Sequence, residues 1–224
     1  MKAPVNNIDI EVLLLPHASN LADFDPLTAC PDVNLRFIKM GQKIGDPHAF
    51  ILPGTRNTLL DFQDIKKMGY TNEIRRLAKK GRTILGIGGG FQMLGTKIID
   101  IKGSEYRLSQ SGGLGFFQIV TRIMVMMVSH SVEFKPLSGG PLSEKIGGSN
   151  NAHTGFETHL GRTKYLNGSR VLFNITKRDG IEVEVADGAK NADGNIFGTY
   201  IHRLFENRGF REGFIEMVKQ RGLS

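Results

Sequence analysis

Residues 81–100, GRTILGIGGGFQMLGTKIID, decide the fold expected for this chain. Thr83–Ile87 is a short apolar run that predicts a buried strand, whereas residues 91–99 have the apolar spacing of a helix. Residues 86–90 (GIGGG) match the pattern Gly-x-nucleophile-x-Gly of a sharp turn from a strand into a helix. Such an elbow presents its central side chain beside backbone N–H groups that can face an anion. The central residue is Gly88, so the predicted site lacks a nucleophilic side chain.

The segments before this elbow predict an α/β fold. Short apolar runs typical of strands occupy residues 10–15, 33–38 and 49–52, and helical spacing occupies residues 58–68 and 71–80. Thr71 is predicted to cap the second helix and Gly81 to end it. Because strands and helices alternate, we expect a mostly parallel central sheet flanked by helices, with the elbow at the C-terminal edge of the sheet.

The second half of the chain contains more strand signals. The further predicted strands are residues 117–128, 171–176, 181–185 and 196–201. Asp179-Gly180 predicts a hairpin between two of them. Residues 138–151 read as a loop, and residues 210–220 as a closing amphipathic helix. Three methionines within residues 123–128 are predicted to pack in the core, where methionine fills irregular spaces.

Composition narrows the class of protein. The 224 residues fit a single α/β domain with its core in residues 8–222. The net charge of +7 is interpreted as a spread, solvated surface, because no nucleic-acid-binding motif accompanies it. Cys30 alone forms no internal disulfide, which favours a reducing cytoplasm. Neither a signal-peptide pattern nor an apolar run of bilayer length is present, so no membrane partner is expected.

Residues 86–95, GIGGGFQMLG, resemble the segment GICGGYQMLG of the glutamine amidotransferase domain of the cobyric acid synthase family, whose third residue is the cysteine that attacks glutamine. Further stretches resemble the same family in the same order: the opening at residues 8–27, then residues 51–58 (ILPGTRNT), 155–163 (GFETHLGRT) and 193–205 (DGNIFGTYIHRLF). The resemblance covers nearly the whole chain and implies a class I glutamine amidotransferase-like, flavodoxin-like fold. Gly88 is the serious departure from the family pattern.

The resemblance also implies roles for individual residues. His202 lies in GTYIH, which resembles the family's GTYLH with its catalytic histidine. Gln92 matches a glutamine that contacts the substrate in related glutaminases. The backbone N–H groups of Gly54 and Gly89 are the candidate donors to the oxyanion, since the loop after the third strand is expected to face the elbow. From the residues alone, Gly54 could equally belong to a plain Pro-Gly turn.

Other polar residues near these motifs have weaker predicted roles. Triad glutaminases carry an acid two residues after the histidine, but that position is Leu204, and the cobyric acid synthase group resembles this chain in relying on cysteine and histidine alone. Glu206 is predicted to be a solvated charge. Glu157 and His159 would face the same side of a strand and are interpreted as supporting the site, because two ligands are too few for a metal. Cys30 lies outside the elbow and is not expected to replace the missing thiol.

The expected function follows from the resemblance and from the missing thiol. The family uses ammonia from glutamine for the ATP-dependent amidation of corrinoid carboxylates in cobalamin biosynthesis. With Gly88, this chain is expected not to hydrolyse glutamine, because no acyl-enzyme can form. It lacks a G-x-x-x-x-G-K-[ST] motif, so ATP and Mg²⁺ are expected only on a partner synthetase domain or subunit.

Two other interpretations of the chain remain. In the first, it is a non-catalytic module that binds glutamine or stabilises a synthetase partner. In the second, GIGGG binds a nucleotide phosphate; this is weaker, because G-x-G-x-x-G would require glycine where Phe91 stands.

Overall fold

The computed structural model describes residues 7–103, 109–146 and 152–222. Its strands are β1 (Ile8–Leu14), β2 (Ala18–Ser19), β3 (Val33–Lys39), β4 (Ala49–Leu52), β5 (Gly54–Thr55), β6 (Thr83–Ile87), β7 (Lys97–Ile99), β8 (Gln110–Gly112), β9 (Ile119–Pro136), β10 (His153–Tyr165), β11 (Val171–Arg178), β12 (Ile181–Lys190), β13 (Ile196–Thr199) and β14 (Ile201–His202). Its helices are α1 (Asp25–Thr28), α2 (Thr58–Lys67), α3 (Tyr70–Lys79), α4 (Gly89–Leu94), α5 (Pro141–Lys145) and α6 (Arg208–Gly222). Within these ranges, none of the helices has the length and apolar character needed to cross a membrane.

A parallel sheet forms the centre of the molecule. Strands β13, β6, β4, β1 and β3 lie side by side in this order, and each adjacent pair is parallel. Every residue of β4 and β6 is buried, because helices cover both faces and a strand buried on both sides is apolar along its whole length. One hydrophobic cluster includes α6 and the other includes α2, α3 and α4. The predicted α/β class and mostly parallel central sheet are confirmed.

An antiparallel extension continues the sheet beyond β13. There, β12 pairs with β13 and is followed by β11, β9, β10 and β14. The turn between β11 and β12 has positive φ at both Asp179 (+49°) and Gly180 (+81°), as a tight hairpin turn with right-handed strand twist requires. The predicted hairpin is therefore confirmed. Strand β14 pairs with β10 and begins only two residues after the last residue of β13, so His202 at its end stays near the carboxyl end of a parallel strand.

Three local predictions differ from the structure. The helix after the elbow ends at Leu94, and Lys97–Ile99 forms a strand, because Gly95 adopts an extended backbone (φ −72°, ψ −174°). Helix α3 is preceded by Gly69 in a left-handed conformation (φ +78°), so Thr71 lies inside the helix and does not cap it. The predicted loop 138–151 contains helix α5; its residues 147–151 lie outside the described residues.

The methionines expected in the core lie on the surface. Ile123 pairs with Gly161 and Val128 pairs with His159, so residues 124–127 of β9 lie opposite the single residue 160 of β10. We call residues 124–127 the methionine bulge. The extra residues cannot follow the pleat of the partner strand and project outwards, and Met126 is 78% exposed. The core prediction was wrong because an apolar run does not reveal an interruption in strand register.

Candidate active site

Gly88 has the backbone conformation of an elbow. It connects β6 to α4 with φ +54° and ψ −114°, a region that residues with side chains occupy only under strain. Its N–H donates to the carbonyl of Thr199 at 2.9 Å, which fixes the turn against β13. A Cβ built at this position would lie 3.5 Å from the Cα of Gly54 and 3.5 Å from Nε2 of His202, both ordinary contacts. A side chain at position 88 therefore has space, and it would lie beside the imidazole of His202.

Gly90, two residues after Gly88, has a packing role. A Cβ at Gly90 would lie 2.1 Å from the carbonyl oxygen of Leu52, closer than any real contact. Helix α4 can begin this close to β4 only because Gly90 has no side chain. The glycine-rich sequence therefore fixes the entry of the helix as well as the elbow itself.

His202 is buried and held by a carboxylate. Only 3% of the residue is exposed, and its Nδ1 lies 2.6 Å from Oδ2 of Asp23. The second oxygen, Oδ1, accepts from the backbone N–H of Arg203 at 3.1 Å. Asp23 lies in the 3₁₀ turn Leu21–Phe24 and was not found by sequence reasoning. The contact joins residues 179 positions apart, so no local spacing could reveal it; the available signal was the family resemblance of residues 8–27.

Gly54 and Gly89 are both neighbours of Gly88. Strand β5, which begins at Gly54, pairs with β2 and so brings Ser19 to the site. A Cβ at Gly54 would lie 3.1 Å from Cε1 of His202 and 3.2 Å from Oγ of Ser19, so glycine permits the close approach of both. Gly89 is the first residue of α4, and the first N–H groups of a helix have no acceptor within it. Both residues line the cavity beside Gly88, and the oxyanion role of their N–H groups stays a prediction.

The side-chain oxygen of Gln92 is buried and lacks a hydrogen-bond donor in the part of the chain that the structure describes. The residue is only 3% exposed, and within the described residues its Oε1 has no hydrogen-bond partner. Gly161 faces the amide: a Cβ there would lie 2.4 Å from Nε2 of Gln92. A buried polar atom without a partner is rare in folded proteins and calls for an explanation. Since Gln92 lines the cavity described below, a ligand N–H is a fitting partner for Oε1.

Glu157 and His159 belong to an ion network in the site wall. Nε2 of His159 lies 2.8 Å from Oε1 of Glu157, and Arg178 donates to both carboxylate oxygens at 2.9 Å. Burial acts to raise the pKa of Glu157, but the hydrogen bonds and positive charges of His159 and Arg178 outweigh it and hold the pKa below its ordinary value. The ring of His159 stacks on Tyr200 with a centroid separation of 3.7 Å. Because its members hydrogen-bond one another, this network has the features of a structural support. No group of three or more potential metal ligands occurs among the described residues.

A second buried carboxylate lies under the site. Asp187 accepts hydrogen bonds from the hydroxyl of Thr199 and from the backbone N–H of Tyr200, the latter at 3.2 Å. Complete burial raises the pKa of Asp187 to about 6, despite these two hydrogen bonds. Asp187 thus anchors the segment that joins β13 to His202.

A cavity of about 390 Å³ brings the predicted residues together. This volume lies within the range of small-molecule sites. All five residues predicted from the sequence line it: Gly54, Gly88, Gly89, Gln92 and His202. The other lining residues are Ser19, Asn20, Thr55, Arg56, Thr58, Met127, Thr158, His159 and Leu160. Cys30 is not among them; its thiol donates to the carbonyl of Pro26.

Solved structures with the same fold are glutamine amidotransferases and related proteins. The structure of PurLQS from Thermotoga maritima has a TM-score of 0.70 and 18% sequence identity, covering 97% of this chain and 100% of that one. A structure described as a glutamine amidotransferase has a TM-score of 0.63 and 16% identity, covering 93% and 98% of the two chains. The fold is therefore that of the class I glutamine amidotransferases.

The sequence defines the family more narrowly. The CobB/CobQ-like glutamine amidotransferase domain family matches residues 9–210, and this chain belongs to that family. The cobyric acid synthase of Caldanaerobacter subterraneus subsp. tengcongensis is 38% identical over 225 residues, covering 100% of this chain and 44% of the relative. That of Thermoanaerobacter sp. (strain X514) is 40% identical over 220 residues, covering 97% and 43%. The chain is thus a glutamine amidotransferase domain of cobyric acid synthase type, and it spans less than half the length of these relatives.

Proposed function

We propose that this chain binds glutamine in the cavity beside Gly88 but does not hydrolyse it. The observation that carries the proposal is the elbow: a backbone conformation suited to a nucleophile at Gly88, with Nε2 of His202 3.5 Å from the position of its Cβ. Oε1 of Gln92 has no hydrogen-bond donor among the described residues, which supports a ligand that brings an N–H group. Glycine offers no atom that could attack a carboxamide, so the bound glutamine is not hydrolysed.

The same geometry accounts for hydrolysis when a cysteine occupies position 88. Its thiol would pass the proton to Nε2 of His202, and the thiolate would attack the carboxamide carbon of glutamine. The N–H groups of Gly54 and Gly89 would stabilise the negative oxygen of the tetrahedral intermediate. The proton on His202 would then leave with ammonia as the thioester forms, and water would release glutamate. Gly88 supplies no nucleophile, and the residues to which we assign the other parts line the same cavity.

We further propose that the ammonia of an active form serves the ATP-dependent amidation of corrinoid carboxylates by a partner synthetase domain. Two observations support a partner. The cobyric acid synthase relatives are more than twice as long as this chain. The exposed methionine bulge borders the cavity through Met127, so an apolar surface lies at the mouth of the site. ATP and Mg²⁺ would be held by that partner and not by this domain.

The absence of a nucleophile favours a second candidate function. A domain that binds glutamine without turnover could sense glutamine or stabilise a synthetase partner. The two candidates differ in whether the remainder of the site is still competent for hydrolysis. Restoring the nucleophile separates them.

The experiment measures glutamine binding by calorimetry and glutamate release for the chain, Gly88→Cys, Gly88→Ala and the double variant Gly88→Cys/His202→Gln. Gly88→Ala is the matched control, because it adds the same Cβ without a thiol. We expect glutamine binding by the chain and glutamate release by Gly88→Cys alone, with the double variant at least about 100-fold slower. Absence of glutamine binding by the chain would contradict the proposal. Binding without release by Gly88→Cys would favour the non-catalytic module.

A further inference from the structure

The carboxylate behind His202 comes from the opposite end of the chain. Asp23 is 6% exposed, and its Oδ2 lies 2.6 Å from Nδ1 of His202. We propose that Asp23 is the positioning residue of this site: it holds His202 in the form that carries its proton on Nδ1 and turns an unprotonated Nε2 towards position 88. The catalytic consequence rests on the proposed function, whereas the protonation pattern of the ring does not.

The protonation pattern follows from the chemistry of the partners. A carboxylate only accepts hydrogen bonds, so the short contact requires Nδ1 of His202 to be the donor. A neutral imidazole with a proton on Nδ1 has its lone pair on Nε2. Nδ2 of Asn20 lies 3.3 Å from both ring nitrogens of His202, and with Nδ1 donating to Asp23 only Nε2 can accept from this amide. Nε2 is also the ring atom nearest to the Cβ position of Gly88. A base for a nucleophile at position 88 needs its lone pair at this atom.

The local sequence after the histidine supplies no carboxylate for this task. Leu204, two residues after His202, is buried in the hydrophobic core. Glu206 is directed to solvent, with 59% of its side chain exposed. Asp23 therefore occupies the functional place of the acid that triad glutaminases carry two residues after the histidine. Its second oxygen holds the N–H of Arg203, so one carboxylate fixes both the ring and the adjacent backbone.

The segment that carries Asp23 is fixed on both sides. Before it, the β2–β5 pair places Ser19 beside Gly54. Asn20 has a left-handed backbone (φ +54°), and its carbonyl accepts from the N–H of Asp23 at 2.9 Å. After it, the buried ring of Phe24 packs against Phe205 with a centroid separation of 6.4 Å. A side chain held by packing on each side is preorganised, which is the property that a positioning residue needs.

A purely structural role for Asp23 predicts different behaviour. If the carboxylate only satisfied the N–H of Arg203, its loss would lower stability and leave the tautomer of His202 unchanged. Asparagine separates the two roles, because Oδ2 faces the ring and Oδ1 faces Arg203, and the single amide oxygen can occupy only one of these two places. With the amide oxygen on Arg203, the NH₂ group faces Nδ1 and forces the ring proton onto Nε2.

The first measurement uses ¹⁵N-histidine NMR on the chain as it stands, with the His202 signals identified by their loss in His202→Gln. We expect the neutral ring to carry its proton on Nδ1, and Asp23→Asn to increase the form protonated on Nε2. Asp23→Glu, which keeps a carboxylate, should retain the Nδ1-protonated form. The matched control Asp25→Asn changes an exposed carboxylate two residues away and should leave the His202 signals unchanged. A ring protonated on Nε2 in the unmodified chain would overturn the proposal, even if no Asp23 variant folds.

The second measurement adds Asp23→Asn to Gly88→Cys and compares kcat and KM for glutamine. We expect kcat to fall by about 10²–10⁴-fold with KM nearly unchanged, because the wrong tautomer removes the base without altering the binding cavity. Equal kcat values in the two proteins would overturn the catalytic part. If Gly88→Cys releases no glutamate, the proposed glutaminase geometry fails while the NMR result still decides the role of Asp23.

Discussion

Gly88→Ala tests whether the elbow is strained in the folded chain. Alanine must adopt φ +54° and ψ −114°, and a residue held in such a sparsely populated region costs about 1–3 kcal/mol. Steric overlap adds little, because the nearest atoms to the new Cβ lie 3.5 Å away. We therefore expect the free energy of unfolding to fall by about 1–3 kcal/mol, which corresponds to a decrease in Tm of roughly 2–12 °C for a domain of this size.

Two other glycines provide matched controls for thermal and urea unfolding. Gly115 has φ +79°, and no atom of the described residues lies within 4 Å of its Cβ position, so Gly115→Ala carries backbone strain without any contact to the site. Gly112 has the same open surroundings without a positive φ, so Gly112→Ala should be neutral or stabilising by up to about 1 kcal/mol. The expected result is a similar loss for Gly88→Ala and Gly115→Ala and none for Gly112→Ala.

The reasoning would be refuted if Gly88→Ala were as stable as the parent chain while Gly115→Ala lost stability. Position 88 would then relax to an ordinary conformation at no cost, and the elbow would not be imposed by the fold. A loss well above 3 kcal/mol would instead show that the surroundings of Gly88 cannot accept a side chain.

Three further predictions concern the core, the methionine bulge and the cavity. Burial raises the pKa of Asp187 from 3.8 to about 6, so the folded state binds this proton more tightly than the unfolded chain, and the stability from this group falls as the pH rises from 4 to 6. In urea unfolding over this pH range, Asp187→Asn should gain up to about 3 kcal/mol of stability relative to the parent chain. A difference that stays constant with pH would contradict the assignment. Met126→Ser should change the free energy of unfolding by less than about 0.5 kcal/mol, whereas Phe134→Ala in the core should lower it by about 3–5 kcal/mol. A large loss of stability in Met126→Ser would show that the methionine bulge is buried. Gln92→Met should leave Tm nearly unchanged and weaken glutamine binding by about 2–10-fold in calorimetry, the worth of one hydrogen bond; unchanged affinity would remove Gln92 from the binding site.

The sequence by itself determined the elements whose formation depends on neighbouring residues. Strands β4 and β6 have the predicted bounds, because continuous apolar runs can be satisfied only inside a covered parallel sheet. The hairpin at Asp179-Gly180 was predicted correctly because few residues accept two successive positive φ angles. The pattern around Gly88 also predicted an elbow, and the five residues predicted for the site line one cavity.

Only the tertiary structure decided the features that depend on distant pairing. The contact between Asp23 and His202 joins the two ends of the chain. It arises because β2 pairs with β5 and β14 pairs with β10. The methionine bulge arises because β10 offers one residue opposite four of β9, a mismatch that neither strand shows alone. Local propensity acts over a few residues, whereas strand register and the meeting of loops are set by the packing of the whole sheet. The elbow at Gly88 could therefore be found in the sequence, while the contact between Asp23 and His202 could be found only in the fold.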